Sequence, residues 1–141
     1  MQVRKQGTDR RIVISTLWIF YIFNILYADV LSLMGATFSG YDSSTAEDAE
    51  LISTMVSPEM LLGVAIYLEL GMVMIVLSRL LKYGINRWTN IVVAILQTLG
   101  LLASLFVGTP AIYYIFFVIV EVITLLFIIW YAWTWAEPNI A

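Results

Sequence analysis

Four long apolar runs dominate the chain, each interrupted by only a few polar residues. They cover residues 12–35, 58–78, 88–107 and 111–133. Each is about as long as the ~20 residues that carry a helix across the ~30 Å hydrocarbon layer of a bilayer. The pattern predicts an all-α membrane protein, a four-helix antiparallel transmembrane bundle. Residues 36–57 form a long polar connector, 79–87 a basic turn and 108–110 a tight turn. Residues 1–11 and 134–141 are short tails.

Local signals mark some of the helix ends. Ser57-Pro58-Glu59 reads as a start, with Ser57 as N-cap, Pro58 at the first helical position and Glu59 at the positive end of the dipole. Thr109-Pro110 repeats that start before the fourth run. Gly84 suits a helix stop. In the long connector, Leu51, Ile52, Met55 and Val56 would let the second half lie on the membrane surface as a short helix. Its acids Asp42, Glu47, Asp48 and Glu50 fit no metal loop and read as a solvated segment.

Composition agrees with lipid as the main solvent. The chain has 141 residues, 62% hydrophobic and 12% charged, with a mean hydropathy of +0.93. A soluble domain this small could not hide that much apolar surface. The absence of cysteine excludes disulfides and thiolate chemistry, and the absence of histidine excludes imidazole bases and His-ligated metals. No cofactor and no metal is expected.

Charge then sets the orientation. All 7 Lys and Arg fall in the N-terminal tail (Arg4, Lys5, Arg10, Arg11) or the second connector (Arg79, Lys82, Arg87). With four spans these lie on one side, so both termini are expected in the cytoplasm and the chain in the cell (inner) membrane. Trp18, Trp88, Trp130, Trp133 and Trp135 stand near the same side, as an aromatic belt would. This topology accounts for the basic residues, and nucleic acid is not expected as a partner. A basic start before an apolar run also fits a signal peptide. The run here is longer than a signal core, contains Asn24 and Asp29, and ends in the poor cleavage site Met34-Gly35-Ala36.

The polar residues inside the runs are the candidate chemistry. Glu69 and Glu121 stand equally far beyond Pro58 and Pro110, which puts both ~16 Å into their spans, near the midplane. Gln97 and Asn24 reach similar depth, while Asp29 lies nearer the outer surface. Helical spacing aligns Asn90, Gln97 and Ser104 in one stripe beside Gly100. It also aligns Tyr114, Glu121 and Thr124 around Phe117, and Tyr21, Asn24 and Tyr27. Glu69 has only apolar helical neighbours, so a bundle interior or an oligomer interface is expected for it. No base lies within a span to neutralise the acids. They are expected to be protonated at rest, or one ionised beside a bound cation.

Three segments resemble an uncharacterised bacterial family of small four-helix membrane proteins: residues 17–29, the turn Ile85-Asn86-Arg87-Trp88-Thr89-Asn90-Ile91, and residues 120–133. The Ile-Asn-Arg-Trp turn and the Trp-Tyr-Ala-Trp end are the most specific pieces. The resemblance implies the four-helix topology but no activity. On its pattern Asp29 and Glu121 stand at acidic positions and Glu69 does not.

Three functions fit the sequence. A proton- or cation-coupled transporter, or a pore-forming subunit, would use the midplane layer of Glu121, Glu69, Gln97, Asn24, Asp29, Tyr114 and Thr124. Such a small chain would be expected to work as a homo-oligomer, with a proton, a cation or a small lipophilic molecule as ligand. A structural or accessory protein binding a partner protein or lipid would use the same residues as interhelical hydrogen bonds. A membrane enzyme on a lipid-soluble substrate, with Asp29 or Glu121 as acid, has no nucleophile–base constellation to support it.

Overall fold

The computed structural model of the chain describes residues 9–38, 57–106 and 110–136. Four helices make up the described fold: α1 (Arg10–Phe38), α2 (Pro58–Leu80), α3 (Tyr83–Ser104) and α4 (Ile112–Trp133). Residues 39–56, with the expected surface helix, and the Thr109 cap fall outside the described residues, while 36–38 continue α1.

Each helix packs on its neighbour in sequence, and α4 returns to pack on α1. Among the described residues α1 and α3 make no direct backbone approach, and neither do α2 and α4. The bundle is therefore a ring of four, and only long side chains cross its interior. The core runs through the middle of this ring, with Trp18, Tyr21, Met74, Leu125 and Ile128 fully or almost fully buried. Outside it stands a coat of exposed large apolar side chains on every helix, the surface expected where the solvent is hydrocarbon.

The Ser57 cap forms as its chemistry dictates. The backbone N–H of Met60 donates to the Ser57 hydroxyl oxygen at 3.3 Å, with Pro58 opening the helix. The basic turn is shorter than expected. Only Leu81 and Lys82 separate α2 from α3, and Gly84 lies inside the first turn of α3 instead of ending α2. Leu81, in an extended conformation, closes α2. At the fourth helix the N-cap is Ala111.

Among the described residues three helices are long and apolar enough to cross a membrane: α1 (over Arg10–Gly35), α2 and α4. Helix α3, expected to be a fourth span, falls short of that standard by composition. The reason is that it carries three amides, Asn86, Asn90 and Gln97, all completely buried. Average hydropathy counts these amides equally, whichever way they face.

The aromatic belt holds only in part. Trp88, Trp130 and Trp133 are exposed, but Trp18 and Trp135 are buried. The Trp18 indole N–H finds its partner inside the protein, donating to Asn90 Oδ1 at 2.7 Å. Near the link between α2 and α3, Tyr83 packs edge-on against Trp135, and the Arg87 guanidinium lies over the Trp133 ring.

Candidate functional site

The interior of the ring divides into two polar zones and one cavity. The zone nearest the α2–α3 link is a closed network. Asn90 Oδ1 accepts from Trp18 Nε1 and from the Ser78 hydroxyl at 3.0 Å. Asn90 Nδ2 donates to Asn86 Oδ1, and Asn86 Nδ2 donates to the Ser78 carbonyl, each at 2.6 Å. Every amide here is satisfied by protein, which is how buried polar groups persist in an apolar interior.

The second zone lies two turns further along α3. Gln97 Oε1 accepts from the Tyr21 hydroxyl at 2.7 Å, and Gln97 Nε2 donates to the Tyr67 carbonyl at 2.7 Å. The Tyr67 hydroxyl donates to the Gln97 carbonyl at 2.6 Å and stands 3.3 Å from the Tyr21 hydroxyl. Gly100 makes room for this arrangement, because a Cβ there would run into the Tyr67 ring.

Beyond the second zone a cavity of about 480 Å³ opens among all four helices. Its volume is that of small-molecule sites, which run to roughly 300–1,000 Å³. Its walls are mainly apolar, with Ile25, Val64, Leu68 and Leu101 among them. The polar groups on it are Asp29, Tyr67, Ser104, Tyr114 and Glu121. Tyr114 and Ser104 are hydrogen bonded to each other through their hydroxyls at 2.8 Å. Glu121 is 2% exposed, and its Oε1 has no hydrogen-bond partner among the described residues. A buried carboxyl oxygen left unpaired is unfavourable, and a protein keeps one only where something else completes it.

The expected polar layer is thus redistributed. Gln97, Tyr114, Thr124 and Glu121 do face the interior, as their spacing requires. Of these, Glu121 and Tyr114 line the cavity with Asp29. Gln97 forms the second polar zone, and Thr124 is occupied by its own helix, donating to the Val120 carbonyl at 2.8 Å. The alignment of Tyr21 with Asn24 and Tyr27 breaks down, for Tyr21 is buried while Tyr27 is 61% exposed. Asn24 turns back on α1 and donates to the Phe20 carbonyl at 2.8 Å. Glu69 departs furthest. It is exposed, on the side of α2 opposite the cavity-lining Tyr67 and Val64, so the two central glutamates do not share a site. Among the described residues no cluster of three acids gathers that could hold a metal ion.

A family model described as a family of unknown function, DUF6326, matches residues 1–141. The chain belongs to the DUF6326 family. No curated protein and no solved structure matches it.

Sequence reasoning overlooked Tyr67, although it shapes both the second zone and the cavity. The signal was present: Tyr67 is the only aromatic residue in α2, and Gly100 stands one turn from Gln97 on the neighbouring α3. A small residue beside a buried amide is where a ring from a neighbouring helix fits.

Proposed function

We propose that this DUF6326 chain is a carrier in the cell membrane for a small, largely apolar molecule with a cationic or hydrogen-bond-donating group, exchanged for a proton or cation at Glu121. In this reading all four helices span the inner membrane in an antiparallel bundle, with both termini cytoplasmic. The contacts Ser78–Asn90 and Tyr67–Gln97, which step away from the short link together, support that packing. The gathering of Arg79, Lys82 and Arg87 around the link supports the orientation. Helix α3 has 22 residues, about 33 Å at ~1.5 Å per residue, and its amides are inside.

The observation that carries the reading is the unpaired Oε1 of buried Glu121 on a mainly apolar cavity. Apolar walls select a lipophilic body, and the buried Glu121 carboxyl, with Asp29 on the same cavity, selects the one charged or donating group on it. A proton and a cationic ligand compete for the same oxygen, which is the simplest form of coupling. Acids at such depth are the usual elements of proton-coupled carriers. A pore is a weaker fit, because the Tyr21–Gln97–Tyr67 cluster and the Asn90 network fill the interior beyond the cavity.

The test is binding of tetraphenylphosphonium and dodecylamine to the purified chain, with proton release followed in weak buffer. Glu121→Gln should abolish both binding and release, and should remove any proton-driven flux of the same probes in liposomes. Binding and flux unchanged in Glu121→Gln would overturn the assignment.

A further inference from the structure

The outward face of α2 carries a second feature. Leu62, Ala65, Glu69, Met72 and Val76 follow one another at alternating steps of three and four residues, and all five are exposed. On a helix that is apolar all round such spacing suits packing at a shallow left-handed angle but marks no one face; Glu69 marks this one. Glu69 is its only polar member and sits at its centre. Among the described residues Glu69 has no hydrogen-bond partner, and hydrocarbon offers none.

We infer that this seam joins two copies of the chain, with Glu69 pairing with Glu69. The occupant follows from the chemistry and the symmetry. The inference rests on the orientation proposed above, under which every copy enters the membrane the same way round. A two-fold axis along the membrane normal then brings each residue of the seam opposite itself at the same depth. Two protonated carboxyls satisfy each other, each hydroxyl donating to the other's carbonyl oxygen. Ala65, one turn away, lets the two backbones approach. A lipid tail would cover the same apolar face but would leave the carboxyl unpaired. The seam lies across α2 from the cavity, so each copy keeps its own Glu121 site.

The chain has no cysteine, so single cysteines report contacts without background. In vesicles, Ala65→Cys and Met72→Cys should cross-link between copies with a short bis-maleimide, whereas Ile95→Cys and Phe116→Cys, exposed on α3 and α4, should not. Energy transfer between labelled copies should show Glu69→Gln self-associating within about threefold of the natural chain, because an amide also donates and accepts. Glu69→Leu should associate about tenfold more weakly while still binding tetraphenylphosphonium. Equal cross-linking at all four positions, no cross-linking at Ala65 and Met72, or undiminished association of Glu69→Leu would overturn the seam. If Glu69→Leu does not fold, the cysteine pattern decides alone, since there Glu69 is intact. Cross-links that persist while Glu121→Gln still binds the probes would sink the carrier reading and leave the seam standing.

Discussion

Tyr67 and Gln97 hold each other twice. The Tyr67 hydroxyl donates to the Gln97 carbonyl, and the Gln97 side-chain amide donates back to the Tyr67 carbonyl. This clasp ties α2 to α3 at the floor of the cavity. It also uses a backbone carbonyl on each helix that already accepts within its own helix, so neither helix is unwound to make it.

Gly100 should be the least replaceable glycine in the bundle. Its hydrogen faces the Tyr67 ring, and a methyl group there would displace that ring and open the clasp. Gly100→Ala should destabilise the protein in detergent by roughly 1–3 kcal/mol, as overpacking generally does. Thermal unfolding followed by circular dichroism checks this, with Gly63→Ala, which meets nothing and gains only helix propensity, as the control.

Gln97 and Asn24 should separate sharply although both are amides at similar depth. Gln97→Leu removes the acceptor of the Tyr21 hydroxyl and the donor to Tyr67, a loss of about 1–3 kcal/mol. Asn24 bonds only the Phe20 carbonyl of its own helix, and Asn24→Leu should lie within about 0.5 kcal/mol of the natural chain. Equal losses in the two melting curves would contradict the placement of Asn24.

Asn90 should be coupled to Trp18 across the ring. Asn90→Leu strands the buried Trp18 N–H, and a loss of about 1–3 kcal/mol is expected. In a Trp18→Phe background the same substitution should lose less, because the stranded donor is gone. A double-mutant cycle on unfolding free energies measures the difference.

Glu121 should trade stability against function. Replacing the unpaired carboxyl with a side chain of similar size, Glu121→Leu, removes an unsatisfied buried group, and a gain of up to about 1–3 kcal/mol is expected. The same variant should bind no tetraphenylphosphonium. A melting temperature that falls would show that the carboxyl is satisfied in the resting protein.

Much of this architecture was readable from the chain. Long apolar runs gave the helices, Ser57-Pro58 gave the start of α2, and the spacing of Gln97 and of Tyr114, Glu121 and Thr124 gave the inward faces of α3 and α4. Helix α2 was opaque for a physical reason. It is apolar all round, so no contrast between faces told which way Glu69 points. The direction of Asn24 was hidden because a short amide satisfies itself on its own helix as readily as across an interface. The equal spacing of Glu69 and Glu121 from their prolines speaks only of distance along each helix and carries no information on azimuth. The cavity itself depends on the approach of four helices, which no single-helix periodicity contains.

The two-residue link at Leu81 and Lys82 has a consequence for biogenesis. Under the four-span reading, nascent α3 would meet the bilayer with Asn86, Asn90 and Gln97 unpaired, and as an isolated segment it would insert poorly. Joined so closely to α2, it would enter as the second arm of a hairpin. Ser78 is already positioned to receive Asn86 and Asn90, and Tyr67 to receive Gln97. Lengthening the link with a flexible spacer would uncouple the two arms and leave α3 stalled on the cytoplasmic surface, a failure of insertion in a chain whose folded interior had not been altered.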